Sequence, residues 1–100
     1  MSGLRLDKWL WFARFARTRS LAAKLCSDGA VAIGGIPIVK PGHLVRIGDV
    51  LTVRQGRLLR EVSVVALGIR RGPPAEARLL YAERAPSVAA GETWVPLIEE

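Results

Sequence analysis

From residue 4 to residue 17 the apolar side chains Leu6, Trp9, Leu10, Ala13 and Ala16 recur at the spacing of one helical face, uninterrupted by glycine or proline. The pattern predicts a first helix over residues 4–17. Its other face carries Lys8, Trp11, Arg14 and Phe15 on neighbouring turns, so cations and aromatic rings alternate there. Large aromatics are usually core residues, which predicts that Trp11 and Phe15 pack under a later stretch holding Leu79, Leu80, Tyr81 and Trp94. The same mixture also suits an RNA-facing surface. At Arg17-Thr18-Arg19-Ser20 the periodicity breaks, and Thr18 or Ser20 is placed to cap a second helix running through Leu21, Ala22, Leu25 and Cys26 to Asp28. Gly29 supplies the left-handed residue that ends it.

Beyond Gly29 the chain turns to short β-rich runs at residues 30–33, 36–39, 44–47, 50–54 and 58–67. Gly34-Gly35, Lys40-Pro41-Gly42, Gly48-Asp49 and Gln55-Gly56 punctuate them. Gly34-Gly35 suits a tight hairpin whose central residues need positive φ. Residues 70–74 read as a loop, and Pro74 opens a third helix over residues 76–84, where Ala77, Leu80 and Tyr81 repeat at helical spacing. The remainder mixes Pro86, Gly91 and Pro96 with Trp94, Val95, Leu97 and Ile98, and is expected to be extended and docked by Trp94. The predicted class is α+β: two N-terminal helices on a small, mostly antiparallel sheet, plus a short C-terminal helix. Residues 1–85 form the expected domain and residues 86–100 a C-terminal segment.

Composition narrows the class. One hundred residues, 50% of them hydrophobic, support a single domain with a modest core. Disorder is excluded by that apolar content, and no run approaches the roughly 18 uninterrupted apolar residues of a membrane helix. Asp7 interrupts the first apolar stretch and no small-residue cleavage site follows it, so no secretory signal is read. One cysteine, Cys26, forms no intrachain disulfide, which fits a reducing compartment, the cytoplasm.

Charge changes the picture more. Of the net +6, residues 1–60 carry eleven basic and three acidic side chains, a local +8, whereas residues 61–100 carry four and six, a local −2. A positive half on a small domain is the footprint of a polyanion partner, because each phosphate neutralised releases counterions. The corner between the two helices concentrates it. Unpaired N–H groups at the second helix start, the hydroxyls of Thr18 and Ser20, and flanking Arg17 and Arg19 together offer a phosphate site. Capping alone is the plainer role for the hydroxyls.

Catalytic chemistry finds little support. Ser27, Asp28 and His43 form the only Ser/His/Asp set worth naming, and no nucleophile elbow accompanies it. His43 sits at a turn, and Cys26 falls on the apolar side of its helix, where a thiol is inert. No glycine-rich loop leads into a Lys-Ser/Thr helix start. One histidine and one cysteine assemble no typical zinc site, so neither metal nor organic cofactor is implied.

The run Arg5-Leu6-Asp7-Lys8-Trp9-Leu10, with Arg14, Arg17-Thr18-Arg19, Gly29, Val31 and Gly35, resembles the S-four-type RNA-binding domain. The later residues Leu51 to Gly56, Arg70-Arg71, Pro74 to Ala77 and Leu79-Leu80-Tyr81 are similar to the ribosome-associated heat-shock protein fifteen family, so the resemblance spans about residues 4–85. It implies the αL-type RNA-binding motif and a non-enzymatic protein that binds large-subunit rRNA. It also implies recycling of stalled subunits that still carry peptidyl-tRNA. Carried onto this chain, the RNA contacts are Arg5 and Lys8, then Arg14 and Arg17, then Thr18, Arg19, Ser20 and Lys24, with Lys40 after the hairpin completing the groove. Two departures stand out: Gly34-Gly35 replaces the Asn-Gly common at that hairpin, and residues 97–100 end acidic rather than in a basic helical tail. Beside this reading stand an accessory subunit that delivers an RNA-modifying enzyme to its substrate, an amphipathic membrane-surface helix and a DNA-recognition helix.

Overall fold

Helix α1 is much shorter than its periodicity predicts. It spans Leu6–Phe12 and is followed by a turn in which Arg14 adopts φ 66°, the left-handed region. The Arg14 N–H donates to the Trp11 carbonyl at 3.1 Å and the Phe15 N–H to the Leu10 carbonyl at 2.9 Å, which completes a Schellman stop with arginine where glycine is usual. A left-handed L-residue costs about 1–2 kcal/mol, so something must hold Arg14 there. Its Nε donates to the Gly72 carbonyl at 2.8 Å, and Arg71 reaches back to the carbonyls of Trp11 and Ala16 at 3.1 and 3.3 Å. The two arginines strap the residue 70–72 loop over the end of α1. Arg14→Gly is expected to be more stable than Arg14→Ala by about 1 kcal/mol, because both lose the side-chain bond and only glycine relieves the backbone. Urea denaturation of the two variants checks this.

The computed structural model describes residues 3–84 and the backbone of residues 88–89. Residues 4–5, expected to open the first helix, instead form strand β1, Leu4–Arg5. It pairs antiparallel with β4, Leu44–Val45, in a separate two-stranded sheet. Helix α2, Arg19–Ser27, ends as its sequence predicts. Gly29 has φ 77°, and the N–H groups of Gly29 and Ala30 donate to the Cys26 and Leu25 carbonyls.

The main sheet has six strands, all paired antiparallel. The order is β3 (Ile36–Pro37), β2 (Val31–Ile33), β5 (Val50–Gln55), β6 (Leu58–Val64) and β7 (Tyr81–Glu83), with β8 (Val88–Ala89) also on β6. Gly34 and Gly35 both have positive φ, 60° and 83°, as the two-residue hairpin between β2 and β3 requires. Residues 44–47 do not join this sheet, because Val45 is drawn into the small one opposite Leu4. Alternation along β5 and β6 sends Leu51, Val53, Val62 and Val64 inward against Leu6, Trp9 and Leu10 of α1 and Ala22 and Cys26 of α2.

The third helix is also corrected. Only Pro74–Ala77 is α-helical, as α3. Residues 78–80 form a 3-10 turn, and Tyr81 begins β7. The Leu80 carbonyl accepts from Val65 and Ala66, and Tyr81 pairs with Val64, so sheet hydrogen bonds displace the local helical preference. Phe15 is buried as expected, stacked on Trp9 at 5.9 Å and tilted against Tyr81 at 5.1 Å. Trp11 is only half-buried and lies under Arg71, whose guanidinium sits 5.9 Å from the ring centre. Leu79 points outward and is 70% exposed. The expected docking of Trp94 falls outside the described residues.

Candidate nucleic-acid interface

Asp7, in the first turn of α1, is the one buried charged side chain of the described core. In the sequence it stands as a break in apolar character and as one position of the Arg5–Leu10 run, with no sign of its burial. Its carboxylate accepts from Arg5 Nε and Nη2, both at 3.1 Å, in a two-pronged pair that joins β1 to α1. Arg19, at the start of α2, pairs with the same carboxylate, its Nε 3.6 Å from Oδ2. Both arginine side chains remain about half exposed, at 51% and 43%. A carboxylate buried under two arginines therefore anchors them while leaving guanidinium edges open to an outside anion.

Burial by itself would raise the Asp7 carboxyl. The Arg5 hydrogen bonds, the charges of Arg19 and Arg5 and the Lys8 backbone N–H outweigh it, so the group is held below the ordinary carboxylate range. A lowered folded-state pKa contributes stability that is complete above the unfolded value, near about 4, and is lost as pH falls through the folded value. Asp7→Asn is accordingly expected to destabilise by about 1–3 kcal/mol at neutral pH. Its deficit should shrink as pH falls below the ordinary carboxylate value and through the lower folded one, and urea midpoints across an acid titration measure it.

Thr18 caps α2: its Oγ1 accepts the Leu21 N–H at 3.1 Å, so capping claims its acceptor role, as the plainer reading expected. Ser20, one residue into α2, is exposed beside Arg19. Arg17 is exposed on the connecting turn. Lys24 pairs with Asp28 at 3.1 Å, one turn along an exposed helix face, which partly offsets its charge. Lys40 joins the same end of the molecule through the backbone. The Pro41 and His43 carbonyls accept the Asp7 and Leu6 N–H groups at 3.1 and 2.8 Å, seating the 40–43 turn at the start of α1.

The remaining candidates sit differently. Lys8 is half-buried with its ammonium 5.7 Å from the Phe12 ring centre. Arg14 is exposed but tied by its Nε to Gly72. Thus Arg5, Arg19 and the Lys40 turn gather around Asp7, Arg17, Thr18, Ser20 and Lys24 continue along α2, and Lys8 and Arg14 lie on α1 and its terminal turn. Arg71, marked in the sequence only through the resemblance, acts on carbonyls that lie 55 and 60 residues away, so periodicity and spacing give no sign of that role. Arg60 is committed elsewhere: it pairs with Glu83, bonds Tyr81 and covers the Phe15 ring at 4.6 Å. Burial, followed by the nearby Asp7 charge, pushes the Cys26 thiol up to about 11, in keeping with an inert core residue. Among the described residues no group of three or more His, Cys, Asp or Glu could hold a metal, and no helix is long and apolar enough to cross a membrane.

The family model for the S4 domain matches residues 4–51, which contain both helices and all nine candidate residues. Heat shock protein 15 of Escherichia coli (strain K12) is 46% identical over 89 residues, covering 89% of this chain and 66% of that protein. The chain thus spans just under two thirds of the length of that relative. The RQC P-site tRNA stabilizing factor of Halalkalibacterium halodurans is 36% identical over 61 residues, 61% of this chain and 68% of that protein. Among solved structures, heat shock protein 15 of Vibrio cholerae, described as trimeric, superposes with a TM-score of 0.79 at 40% identity, covering 84% of each chain.

Proposed function

The chain belongs to the heat shock protein 15 family, and from that membership together with its cationic corner we propose that it binds structured rRNA of the large ribosomal subunit. The observation that carries this is the buried Asp7 presenting Arg5 from β1 and Arg19 from the start of α2, both half exposed and held by the same carboxylate. Prealigned guanidinium groups lose less side-chain entropy on meeting phosphate and fit its oxygens in pairs. Arg17, Thr18, Ser20, Lys24 and the Lys40 turn extend the face, and Lys8 and Arg14 flank it. Contacts of this kind read backbone position and shape rather than base sequence, which suits folded rRNA.

The role we propose is recycling of stalled large subunits that still carry peptidyl-tRNA, performed in the cytoplasm and without catalysis. The name of the Halalkalibacterium relative, a P-site tRNA stabilizing factor, supports a tRNA-bearing large subunit as the target. Sedimentation of cell lysate through sucrose at low and raised salt tests it. The expected result is enrichment on free large subunits that is lost at high salt. Sedimentation only with free protein at both salts, or stable co-purification with an RNA-modifying enzyme, would overturn it.

A further inference from the structure

Beside the cationic face the molecule has a cleft of about 340 Å³ between the terminal turn of α1 and the outer side of α2. This lies within the roughly 300–1,000 Å³ typical of small-molecule sites. Phe15, Ala16, Leu21 and Leu25 make an apolar floor and wall. Arg17 and the Lys24–Asp28 pair also line it. Gln55 lines it too but has both halves of its amide engaged, donating to the Phe15 carbonyl and accepting from Arg60. It is part of the wall.

We infer that this cleft receives one unstacked nucleobase of the bound RNA, while Arg17 and Arg19 hold the neighbouring phosphates. The inference rests on the RNA-binding reading above and adds a base-sized subsite to a backbone-reading face. Charge complementarity selects a nucleotide through its phosphates, because the apolar lining adjoins Arg17 and the start of α2 with Arg19. Bases splayed out of folded RNA are held in this way, on apolar or guanidinium surfaces between backbone contacts. A purely apolar peptide or acyl chain would gain nothing from the exposed ammonium and carboxylate of the Lys24–Asp28 pair, 3.1 Å apart. A base edge, with donors beside acceptors, meets both. Leu21, 46% exposed, keeps the wall open to solvent and loses that exposure when a flat ring covers it.

Two synthetic RNA hairpins test this, one with a single bulged uridine and one with the bulge deleted, titrated against the full chain. The wild type is expected to prefer the bulged hairpin by about fivefold or more, with methyl NMR shifts at Leu21 and Leu25 for that hairpin alone. Leu21→Gln, which changes no charge at a half-exposed position, should bring the preference to within about twofold and leave affinity for the bulge-deleted hairpin intact. Equal binding of the two hairpins by the wild type, or a preference that survives Leu21→Gln, would overturn the cleft assignment and leave the RNA-binding reading standing. Binding of neither hairpin at low salt would overturn both. Leu21 and Leu25 methyls that respond to removal of residues 90–100 but not to RNA would give the cleft to the chain's own apolar segment instead.

Discussion

Trp9→Ala is expected to lower the folding free energy by about 3–5 kcal/mol and the melting temperature by on the order of 20 °C. Trp9 is fully buried where α1 meets the sheet, stacked on Phe15 and edge-on to Tyr81 at 6.5 Å. Its Nε1–H donates to the Ala66 carbonyl at 2.9 Å. Truncation opens a cavity among side chains fixed by three separate elements and leaves that carbonyl without its donor, and the two costs add. For a domain of this size, whose total stability is roughly 5–15 kcal/mol, the loss approaches global unfolding. Trp9→Phe retains most of the apolar contact and loses only the hydrogen bond and some volume, so about 1–3 kcal/mol is expected. Urea denaturation followed by far-ultraviolet circular dichroism measures both without relying on the tryptophan signal. A loss under about 1 kcal/mol for the alanine variant would show that the packing around Trp9 is not what holds the helices on the sheet.

The second large effect concerns the cationic corner. Arg17→Ala combined with Arg19→Ala is expected to weaken binding to purified large subunits by on the order of 100-fold near 0.1 M salt, taking each charged contact as worth at least about 1.5 kcal/mol. The slope of log affinity against log salt should flatten by roughly 1.4–1.8 for the two phosphates lost. Arg19 also faces Asp7, so the double variant leaves that carboxylate to Arg5 alone. Arg17→Ala by itself, which touches no ion pair among the described residues, isolates the phosphate contribution at roughly 0.7–0.9 in slope. Arg78→Ala removes the same charge from the 3-10 turn, outside the S4 match, and should leave the slope unchanged. Binding assays from about 50 to 200 mM salt distinguish these outcomes. Equal slopes for the wild type and the double variant would remove α2 from the interface.

Candidate residues were legible to the extent that their placement is local. Arg17, Thr18, Arg19 and Ser20 stand where a helix begins, and a hydroxyl before Leu21 and Ala22 is a capping signal visible in four letters. What those residues do as a group was not legible. The meeting of Arg5 and Arg19 over Asp7 needs β1 to pair with β4 and α2 to fold back beside α1, and the spacing of the letters encodes neither. The cleft has the same origin, because Gln55 of β5 joins a lining otherwise made by residues 15–28.

By itself the sequence determined whatever depends on neighbours within about one turn or one hairpin. The Thr18 cap, the left-handed Gly29, the two-glycine turn between β2 and β3, and the inward alternation of Leu51, Val53, Val62 and Val64 all follow from short-range sterics and periodicity. Tertiary structure alone decided where α1 stops and where β7 begins. Its apolar period continues past Phe12, yet the chain turns there because Arg14 is held left-handed by a carbonyl 58 residues away and Arg71 bonds the Trp11 carbonyl that a longer helix would have offered to Phe15. Tyr81 leaves its helical pattern because Val64 offers a ladder position and Trp9 and Phe15 offer an aromatic pocket. Each of these choices sets a local preference of a few tenths to about 2 kcal/mol against contacts that exist only once distant segments have met, and the distant contacts outweigh the local preference.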